Sequence, residues 1–243
     1  MYWNRRYLRE AEAATLNSTY RLDLPDVGML GSLLLRIEAT SKVDTMLATE
    51  KWRIIDDLSD LQIILNGSHP CKDLTGYQAQ ALNWFDQGVM PDTKWNQYGN
   101  APQKEYILIN FGRHLMDGEM GLDLSMFDNV QLRLTNTLSS TYYSADLVVS
   151  SLAYFKEEGG GFPQGYIKSE QFKSWLAAQN TWEYTDLPTE GKLRRLMLRL
   201  EPDLGATYNE FETAMDNMGR DIKITFDSGA TVVYEGGIDD LMR

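Results

Sequence analysis

The sequence predicts a mainly β protein that contains one structural module twice. Strand-like apolar runs recur along the 243 residues, and one pattern of residues returns after 163 positions (186 − 23 = 163). The first copy reads Asp23-Leu24-Pro25, Gly28, Leu30, Leu33, Leu35-Arg36 and Glu38; the second reads Asp186-Leu187-Pro188, Gly191, Leu193, Leu196, Leu198-Arg199 and Glu201. A repeat of this kind indicates a duplicated architecture before it indicates any chemistry.

The first element of the chain is predicted to be a helical arm, residues 1–18. The segment from Tyr2 to Leu16 has no Gly or Pro and is rich in Arg, Glu, Ala and Leu, which favours a helix. Its basic and aromatic residues are interleaved, and we expect them to contact a membrane, a genome or a neighbouring subunit: Tyr2, Trp3, Arg5, Arg6, Tyr7 and Arg9. The alternative is an ordinary terminal helix packed on its own domain.

The first module, residues 19–157, is predicted to be β-rich. The strand candidates are Tyr20–Leu24, Leu30–Ala39, Leu61–Leu65, Tyr106–Phe111, Val130–Thr135 and Ala145–Phe155. One helix is predicted between them, because Thr75 and Gln78 form a capping-box pattern and Gly88 and Pro91 follow as end signals. Its apolar face comprises Tyr77, Ala81, Leu82 and Phe85.

A linker with a short helix is predicted for residues 158–180, because Gly159-Gly160-Gly161 favours a turn and Ser169–Gln179 has a helical apolar stripe. The second module then begins and occupies residues 181–243. Asp60–Asn66 matches Asp221–Asp227 at a separation of 161 (221 − 60 = 161). We expect Leu30, Leu33, Leu35 and their repeat partners to face the core of each copy, and Arg36 and Arg199 to form structural ion pairs.

Charge and composition exclude several functional classes. The formal charge of −12 is unfavourable for a general nucleic-acid binder, since phosphate contacts need a positive surface. No apolar run approaches the roughly 20 residues that span a bilayer, and the N-terminus lacks the apolar segment of a secretory signal, so we expect assembly in a cytoplasm. One cysteine and two histidines supply neither a disulfide nor a multi-cysteine zinc site. We expect no metal and no cofactor.

Candidate catalytic groups are sparse, and we predict that the protein is not an enzyme. The carboxylate doublets Asp56-Asp57 and Asp239-Asp240 are expected in solvated loops, because neighbours on an extended chain point to opposite faces. His114 lies near acidic residues, in what is predicted to be an exposed turn. Cys71 follows His69-Pro70, and we expect it to be a buried small residue and not a nucleophile.

A different functional class, carbohydrate binding or glycan processing, stays open at this level. Five aromatic residues could stack on sugars: Trp84, Trp95, Tyr98, Trp182 and Tyr184. Core packing is the usual role for the first of these, which lies on the predicted helix, and for Trp182, which is predicted to enter a strand. Solution mass measured together with glycan binding tests this class, since a monomer that binds glycans would support it.

The sequence resembles the double jelly-roll major capsid proteins of the tectivirus and adenovirus lineage. The likeness rests on the Asp-Leu-Pro turn before a Leu-Arg strand in both copies and on the helix Thr75-Gly76-Tyr77 to Asp86-Gln87-Gly88. It also rests on Phe111-Gly112-Arg113 to Ser125, followed by Asn129-Val130-Gln131-Leu132. The resemblance covers roughly Thr19 to the C-terminus. Its motifs are general β patterns, so the resemblance depends on their order and duplication more than on any one motif.

The resemblance implies two eight-stranded barrels, of which the second is incomplete in this chain: 63 residues (243 − 181 + 1) against 139 (157 − 19 + 1). It implies self-association into pseudo-hexameric homotrimers and an icosahedral capsid lattice in the virion, assembled in the host cytoplasm. It further implies contacts with minor capsid or penton proteins and with an internal viral membrane through the N-terminal arm. No sequence-specific nucleic-acid binding is expected.

Overall fold

Two antiparallel sheets packed face to face build the first of the two units into which the chain divides, Met1–Leu176 and Ala177–Arg243. The computed structural model describes residues 2–42, 53–88, 93–94, 101–144, 147–156, 163–176, 181–189, 191–199, 221–226 and 229–237. Within those ranges, no helix is both long and apolar enough to cross a membrane.

Eight principal strands form the two sheets. The first sheet contains β1 (Trp3–Ala14), β3 (Met29–Thr40), β6 (Pro102–Asn110) and β9 (Leu147–Lys156), in the order β1-β9-β3-β6. The second contains β2 (Thr19–Asp23), β4 (Leu58–Leu65), β5 (His69–Leu74) and β8 (Val130–Asn136), in the order β5-β4-β8-β2. Two short strands extend them: β7 (Leu122–Asp123) pairs with β3, and β10 (Ser169–Glu170) pairs in parallel with β5.

This strand order is that of a jelly roll. All neighbouring principal strands are antiparallel, and the chain passes from one sheet to the other at every connection between them except the β4–β5 hairpin. Eight strands wound into two such sheets constitute a double Greek key. The mainly β prediction is therefore confirmed, and the eight-stranded jelly roll consists of seven strands from residues 19–157 together with β1 from the preceding segment.

The core lies between the inner faces of the two sheets. Leu33, Leu35 and Ile37 of β3 are fully buried, and they pack in one cluster with Leu61 of β4 and Leu134 of β8. The predicted core role of Leu30, Leu33 and Leu35 is thus confirmed in the first copy. Each buried aliphatic side chain contributes about 1.5–3 kcal/mol relative to exposure to water.

The helix α1 (Gly76–Gln87) begins and ends where the sequence predicts. The Thr75 hydroxyl accepts from the Gln78 N–H, the Gln78 side chain accepts from the Thr75 N–H, and Gly88 ends the helix at φ 69°. The helix lies against the free edge of β6, because the Asn83 Oδ1 accepts the Leu108 N–H at 2.8 Å. An edge N–H of the sheet is thereby satisfied.

The predicted N-terminal helical arm is wrong, because the segment is the twelve-residue edge strand β1. It pairs antiparallel with β9 from Trp3–Lys156 to Ala14–Leu147, and Leu8 packs against the core. Its Arg, Glu and Ala residues favour a helix locally, but the backbone hydrogen bonds to β9 outweigh this weak preference. Two register shifts, one on each side of Arg9, interrupt the pairing.

The segment after the barrel also differs from its prediction. The helix expected from Ser169 is absent from residues 169–176, where β10 is followed by coil; residues 177–179 lie outside the described ranges. The parallel pairing with β5 and a hydrogen bond of 3.0 Å from the Lys72 Nζ to the Ser169 Oγ hold this segment on the barrel. The glycines at 159–161 also lie outside the described residues.

The second unit contains the hairpin of β11 (Asp221–Phe226) and β12 (Thr231–Gly237). The matched segments Asp60–Asn66 and Asp221–Asp227 are strands in both copies as far as Leu65 and Phe226. The expected core role of Leu193, Leu196 and Leu198 is wrong, because they are 56%, 40% and 47% exposed in a coil at residues 191–199. A strand needs a paired neighbour, and in the described part of this unit β11 and β12 pair only with each other.

We predict that Leu134→Ala lowers the free energy of unfolding by about 2–5 kcal/mol, because Leu134 is fully buried between the sheets. The matched control is Thr135→Ala, one residue further on the solvent side of β8, which should cost less than about 1 kcal/mol. Urea unfolding of both variants measures the difference. Equal effects would contradict the inward and outward assignment of β8.

Candidate assembly surface

An apolar row crosses the outer face of the first sheet. Tyr7 of β1 lies opposite Leu152 of β9, Leu152 opposite Leu34 of β3, and Leu34 opposite Leu108 of β6. None of the four side chains is fully buried, and Tyr7 is 50% exposed. We call these four residues the apolar row. The outer, solvent-facing side of a sheet in an antiparallel sandwich is ordinarily polar, so the apolar row is a candidate contact surface.

The apolar row lies beside a set of charged groups on the same face. The Arg36 Nε is 2.6 Å from the Glu38 Oε1, and the Lys104 Nζ is 3.1 Å from the Glu38 Oε2. Arg36 also donates to the Ser150 hydroxyl at 3.2 Å. The predicted structural ion pair of Arg36 is confirmed. In this group the two cations, Arg36 and Lys104, share the single anion Glu38.

The outer face of the second sheet differs in chemistry. Its cross-strand rows are Thr19, Thr135 and Asp60 in one, and Arg21, Arg133, Gln62 and Asp73 in the next. These rows are polar or charged throughout, as expected for a face in contact with water. The two outer faces of the same barrel are therefore not equivalent.

The structure places the predicted N-terminal contact residues along β1. Tyr2 is 65% exposed and Arg5 is exposed, whereas the Trp3 ring lies over Gly31 so closely that a Cβ there would come within 2.4 Å of it. Arg6 stacks on the Phe155 ring at 4.3 Å. Part of this predicted set therefore packs on the barrel.

The other two members of the predicted set lie in the middle of β1. Tyr7 belongs to the apolar row, and Arg9 lies 3.6 Å from Glu12. β1 therefore brings Tyr7 to the outer sheet face as part of a continuous cross-strand row. The sequence analysis missed the rest of that row, although the three consecutive leucines Leu33-Leu34-Leu35 must place an apolar side chain on each face of β3.

Exposed aromatic side chains mark the outward side of α1. Trp84 is 45% exposed, so the core packing expected for it is wrong, and Phe85, assigned to the apolar face of the helix, is 59% exposed. Tyr77 and Leu82 do pack against the core, because the helix turns them toward the barrel. Trp182 and Tyr184, at 54% and 80% exposure, are also not core residues. Trp95 and Tyr98 lie outside the described residues.

A buried carboxylate organises the loop after β6. The Asp117 side chain, 2% exposed, accepts from the Arg113 Nε at 2.8 Å and from the backbone N–H groups of Arg113, Glu119 and Met120. The Arg113 guanidinium and these donors hold the pKa of Asp117 well below its usual range. His114 is exposed, as predicted, and its Nδ1 lies 3.0 Å from the Leu115 carbonyl. The contacts of Asp117 therefore hold this loop in place.

The other candidate chemical groups are also structural. Asp56 and Asp57 are buried in a short 3-10 helix (Ile54–Asp57), so the prediction that they lie in a solvated loop is wrong. Asp56 pairs with Arg53 at 2.8 Å and accepts from the Tyr77 hydroxyl. Cys71 is buried, as predicted, and burial raises the pKa of its thiol to about 12. Such a thiol is not a nucleophile at neutral pH.

An open cavity of about 290 Å³ lies at the end of the second sheet, beside the segment that follows β10. Asp60 and Asp73 line it together with Gln78, Gln171 and Phe172. Burial, followed by the charge of Asp73 and a hydrogen bond to it, raises the pKa of Asp60 to about 6. In the described residues, no group of three or more His, Cys, Asp or Glu side chains is placed to hold a metal ion.

No protein-family model matches the chain, and no curated protein matches its sequence. Among similar solved structures is the STIV major capsid protein, with TM-score 0.46, 10% identity, and coverage of 64% of this chain and 49% of that one. A second is the structure of Sulfolobus Turreted Icosahedral Virus (TM-score 0.48, 10% identity, coverage 63% and 45%). A third is PBCV-1 VP54 fitted into the virophage Sputnik (TM-score 0.46, 12% identity, coverage 63% and 41%).

These structures include viral major capsid proteins, the class that the sequence resembles. The chain spans about half the length of the proteins it matches, or less. At this level of identity a similarity concerns the fold alone, and the strand order of the two sheets defines that fold without it.

We predict that Asp60→Asn stabilises the protein at neutral pH, because the folded pKa of Asp60, about 6, lies above its unfolded value of about 3.9. The folded state then binds the proton more tightly than the unfolded state, so the ionised carboxylate is destabilising above pH 6. The penalty disappears as the pH falls below about 4. Urea unfolding of wild type and variant across this range measures the difference. A stability gap independent of pH would contradict the assignment.

Proposed function

We propose that this chain is a viral major capsid protein that associates with copies of itself to build a shell. The observation that carries the proposal is the apolar row on the outer face of a complete jelly roll. A partly exposed apolar stripe across four strands, with Tyr7 50% exposed at its edge, favours association with another protein surface. The jelly roll also serves lectins and enzymes, so the surface, and not the fold, supports the function.

The finer parts of the proposal come from the sequence resemblance. The chain forms homotrimers of pseudo-hexameric outline, and the trimers tile an icosahedral lattice in the virion after assembly in the host cytoplasm. Minor capsid or penton proteins are its other partners. Catalysis has no place in this proposal, because the buried carboxylates Asp56 and Asp117 and the thiol of Cys71 are engaged in the packing of the barrel.

The full chain is expected to self-associate in solution. Its mass is 27.8 kDa, and sedimentation analysis at increasing concentration should show a species of three chain masses. Electron microscopy of the same preparation should show compact trimers or larger closed shells. A chain that stays monomeric at every concentration would contradict the proposed function.

The contact of the N-terminal residues with an internal membrane or the inner shell is part of the same proposal, now through a strand and not a helix. Tyr2 and Arg5 are exposed at the start of β1, so they can reach a surface without unfolding the barrel. Deletion of residues 1–16 would remove β1 altogether, and so it cannot test this role.

Tyr2→Ser combined with Arg5→Ser is therefore the suitable variant, and it should lower cosedimentation with vesicles that contain anionic lipid. Met126→Ser, a change at a 74% exposed residue of the short 3-10 helix Leu124–Met126, is the control and should bind as wild type does. Equal vesicle binding by all three proteins would exclude a membrane role for these two residues.

Carbohydrate binding is the second candidate function, and the exposure of Trp84, Trp182 and Tyr184 favours it. A glycan array with the full chain tests it directly. Binding that is lost in Trp84→Ala, by a chain that remains monomeric, would support this class over the capsid class.

A further inference from the structure

The open cavity at the end of the second sheet brings carboxylates, amides and an aromatic ring to one place, and we propose that it binds the ring of an uncharged sugar. All of its lining residues belong to the first unit. The proposal goes beyond the proposed self-association and does not depend on it. It also uses a different surface from Trp84, Trp182 and Tyr184, on which the second candidate function rests.

Three parts of the first unit form the walls of this cavity. The outer face of the second sheet supplies Asp60 and Asp73, the first turn of α1 supplies Gln78, and the segment after β10 supplies Gln171. The Gln78 Nε2 donates to the Gln171 Oε1 at 2.7 Å, and the Gln171 N–H donates to the Asp73 carbonyl at 3.1 Å. These hydrogen bonds join the walls, so the cavity is formed without a ligand, as small-molecule sites usually are.

The carboxylates of Asp60 and Asp73 supply hydrogen-bond acceptors on adjacent strands. Burial, followed by the charge of Asp73 and a hydrogen bond to it, raises the pKa of Asp60 to about 6, so the two groups lie close enough to interact. The Gln62 Nε2 donates to the Asp73 Oδ1 at 3.1 Å and orients that carboxylate. Neighbouring hydroxyls on a sugar ring can donate to two acceptors placed in this way, and the Gln171 amide adds donors for the hydroxyl oxygens.

An aromatic ring adds the apolar surface that a sugar ring needs. Phe172 lines the cavity and is 43% exposed. It belongs to the apolar stripe of the helix that the sequence predicts, but residues 169–176 form β10 and coil, so no helix packs this stripe against a partner there. The C–H groups of a sugar ring can pack on the Phe172 ring while its hydroxyls bond to the polar walls.

Other classes of ligand fit the lining less well. Most of its side chains are polar or charged, which is unfavourable for an apolar ligand. Asp60 and Asp73 repel anions, and Lys173, the basic residue of the described lining, has its Nζ 5.5 Å from the centre of the Trp175 ring. Two carboxylates fall short of the six to eight oxygen ligands that Ca²⁺ takes. A hydroxyl-rich ligand without charge satisfies these constraints.

The size of the cavity fits a single sugar ring. Its volume of about 290 Å³ lies at the lower end of the range for small-molecule sites, about 300–1,000 Å³. Because the cavity is open, the rest of a longer glycan can extend into solvent. A methyl glycoside of about 13 non-hydrogen atoms should therefore bind with a Kd of about 1 mM.

An NMR titration of the full chain with small sugars tests the ligand class. The probes are the methyl glycosides of glucose, galactose and mannose, of which at least one should bind. The uronic acid that corresponds to the bound sugar should bind at least about tenfold more weakly, because its carboxylate meets Asp60 and Asp73. No binding by any of the three, equal binding of the uronic acid, or tighter binding of 1,4-diaminobutane or Ca²⁺ would overturn the proposal.

Substitutions in the lining test the position of the site. Phe172→Ala removes the aromatic surface and Asp60→Asn removes a charged acceptor, so each should raise the Kd at least about tenfold. The matched controls are Trp84→Ala, at an exposed aromatic residue on α1, and Asp128→Asn, at an exposed carboxylate of another loop. Both controls should bind as wild type does. Loss of binding in Trp84→Ala with normal binding in Phe172→Ala would place the sugar on α1 and overturn the proposal.

Two further measurements separate this result from folding and from the proposed function. Urea unfolding should show both lining variants folded, and Asp60→Asn, which removes a destabilising carboxylate, keeps the test decisive if Phe172→Ala unfolds. Sedimentation of the same proteins reports self-association. A monomeric wild type that binds sugar would remove the proposed function and keep the sugar site. A self-associating wild type that binds none of the sugars would remove only the sugar site.

Discussion

The pairing of β3 on both of its edges is the constraint on which the first unit depends. This strand bonds to β9 on one side and to β6 on the other, and its inward leucines are completely buried against the second sheet. A change of register by one residue would exchange Leu33 and Leu35 for Leu34 and Arg36 on the inner face. The ion pair of Arg36 with Glu38 would then be buried, and the core would lose the side chains of Leu33 and Leu35. Burial of the inner face therefore determines which residues lie on the outer face.

The same strand explains why the two outer faces differ. Alternation leaves Thr135 and Gln62 on the solvent side of the second sheet, whereas β3, β6 and β9 place the partly exposed Leu34, Leu108 and Leu152 on the outer face of the first. That outer surface contributes nothing to the core of its own barrel. Burying this surface against another one would lower its free energy, which is the physical basis of the proposed self-association.

Polar pairs at loop positions fix the connections without creating a reactive site. The almost fully buried carboxylates of Asp56 and Asp117 form ion pairs with Arg53 and Arg113. Lys72 donates a hydrogen bond to Ser169, in the segment that follows the barrel. The two carboxylates and Lys72 are almost fully buried, so each must be paired to be tolerated. The resulting pKa shifts record structural pairing, whereas burial and the neighbouring Asp73 move the pKa of Asp60 toward neutral pH.

The mainly β class, six strands of the first barrel, the capped helix and the core positions of β3 could be predicted from the sequence, because hydrophobic alternation and capping residues are local patterns. The remaining features depend on contacts between segments that are distant in sequence. β1 is a strand because β9 supplies its backbone hydrogen-bond partners, and the residues of β1 alone do not predict that pairing. Residues Leu193 to Leu198 are exposed coil, although they repeat the sequence of a buried strand. The row from Tyr7 to Leu108 exists only across four strands distant in sequence, since register brings those residues together and no local pattern encodes it.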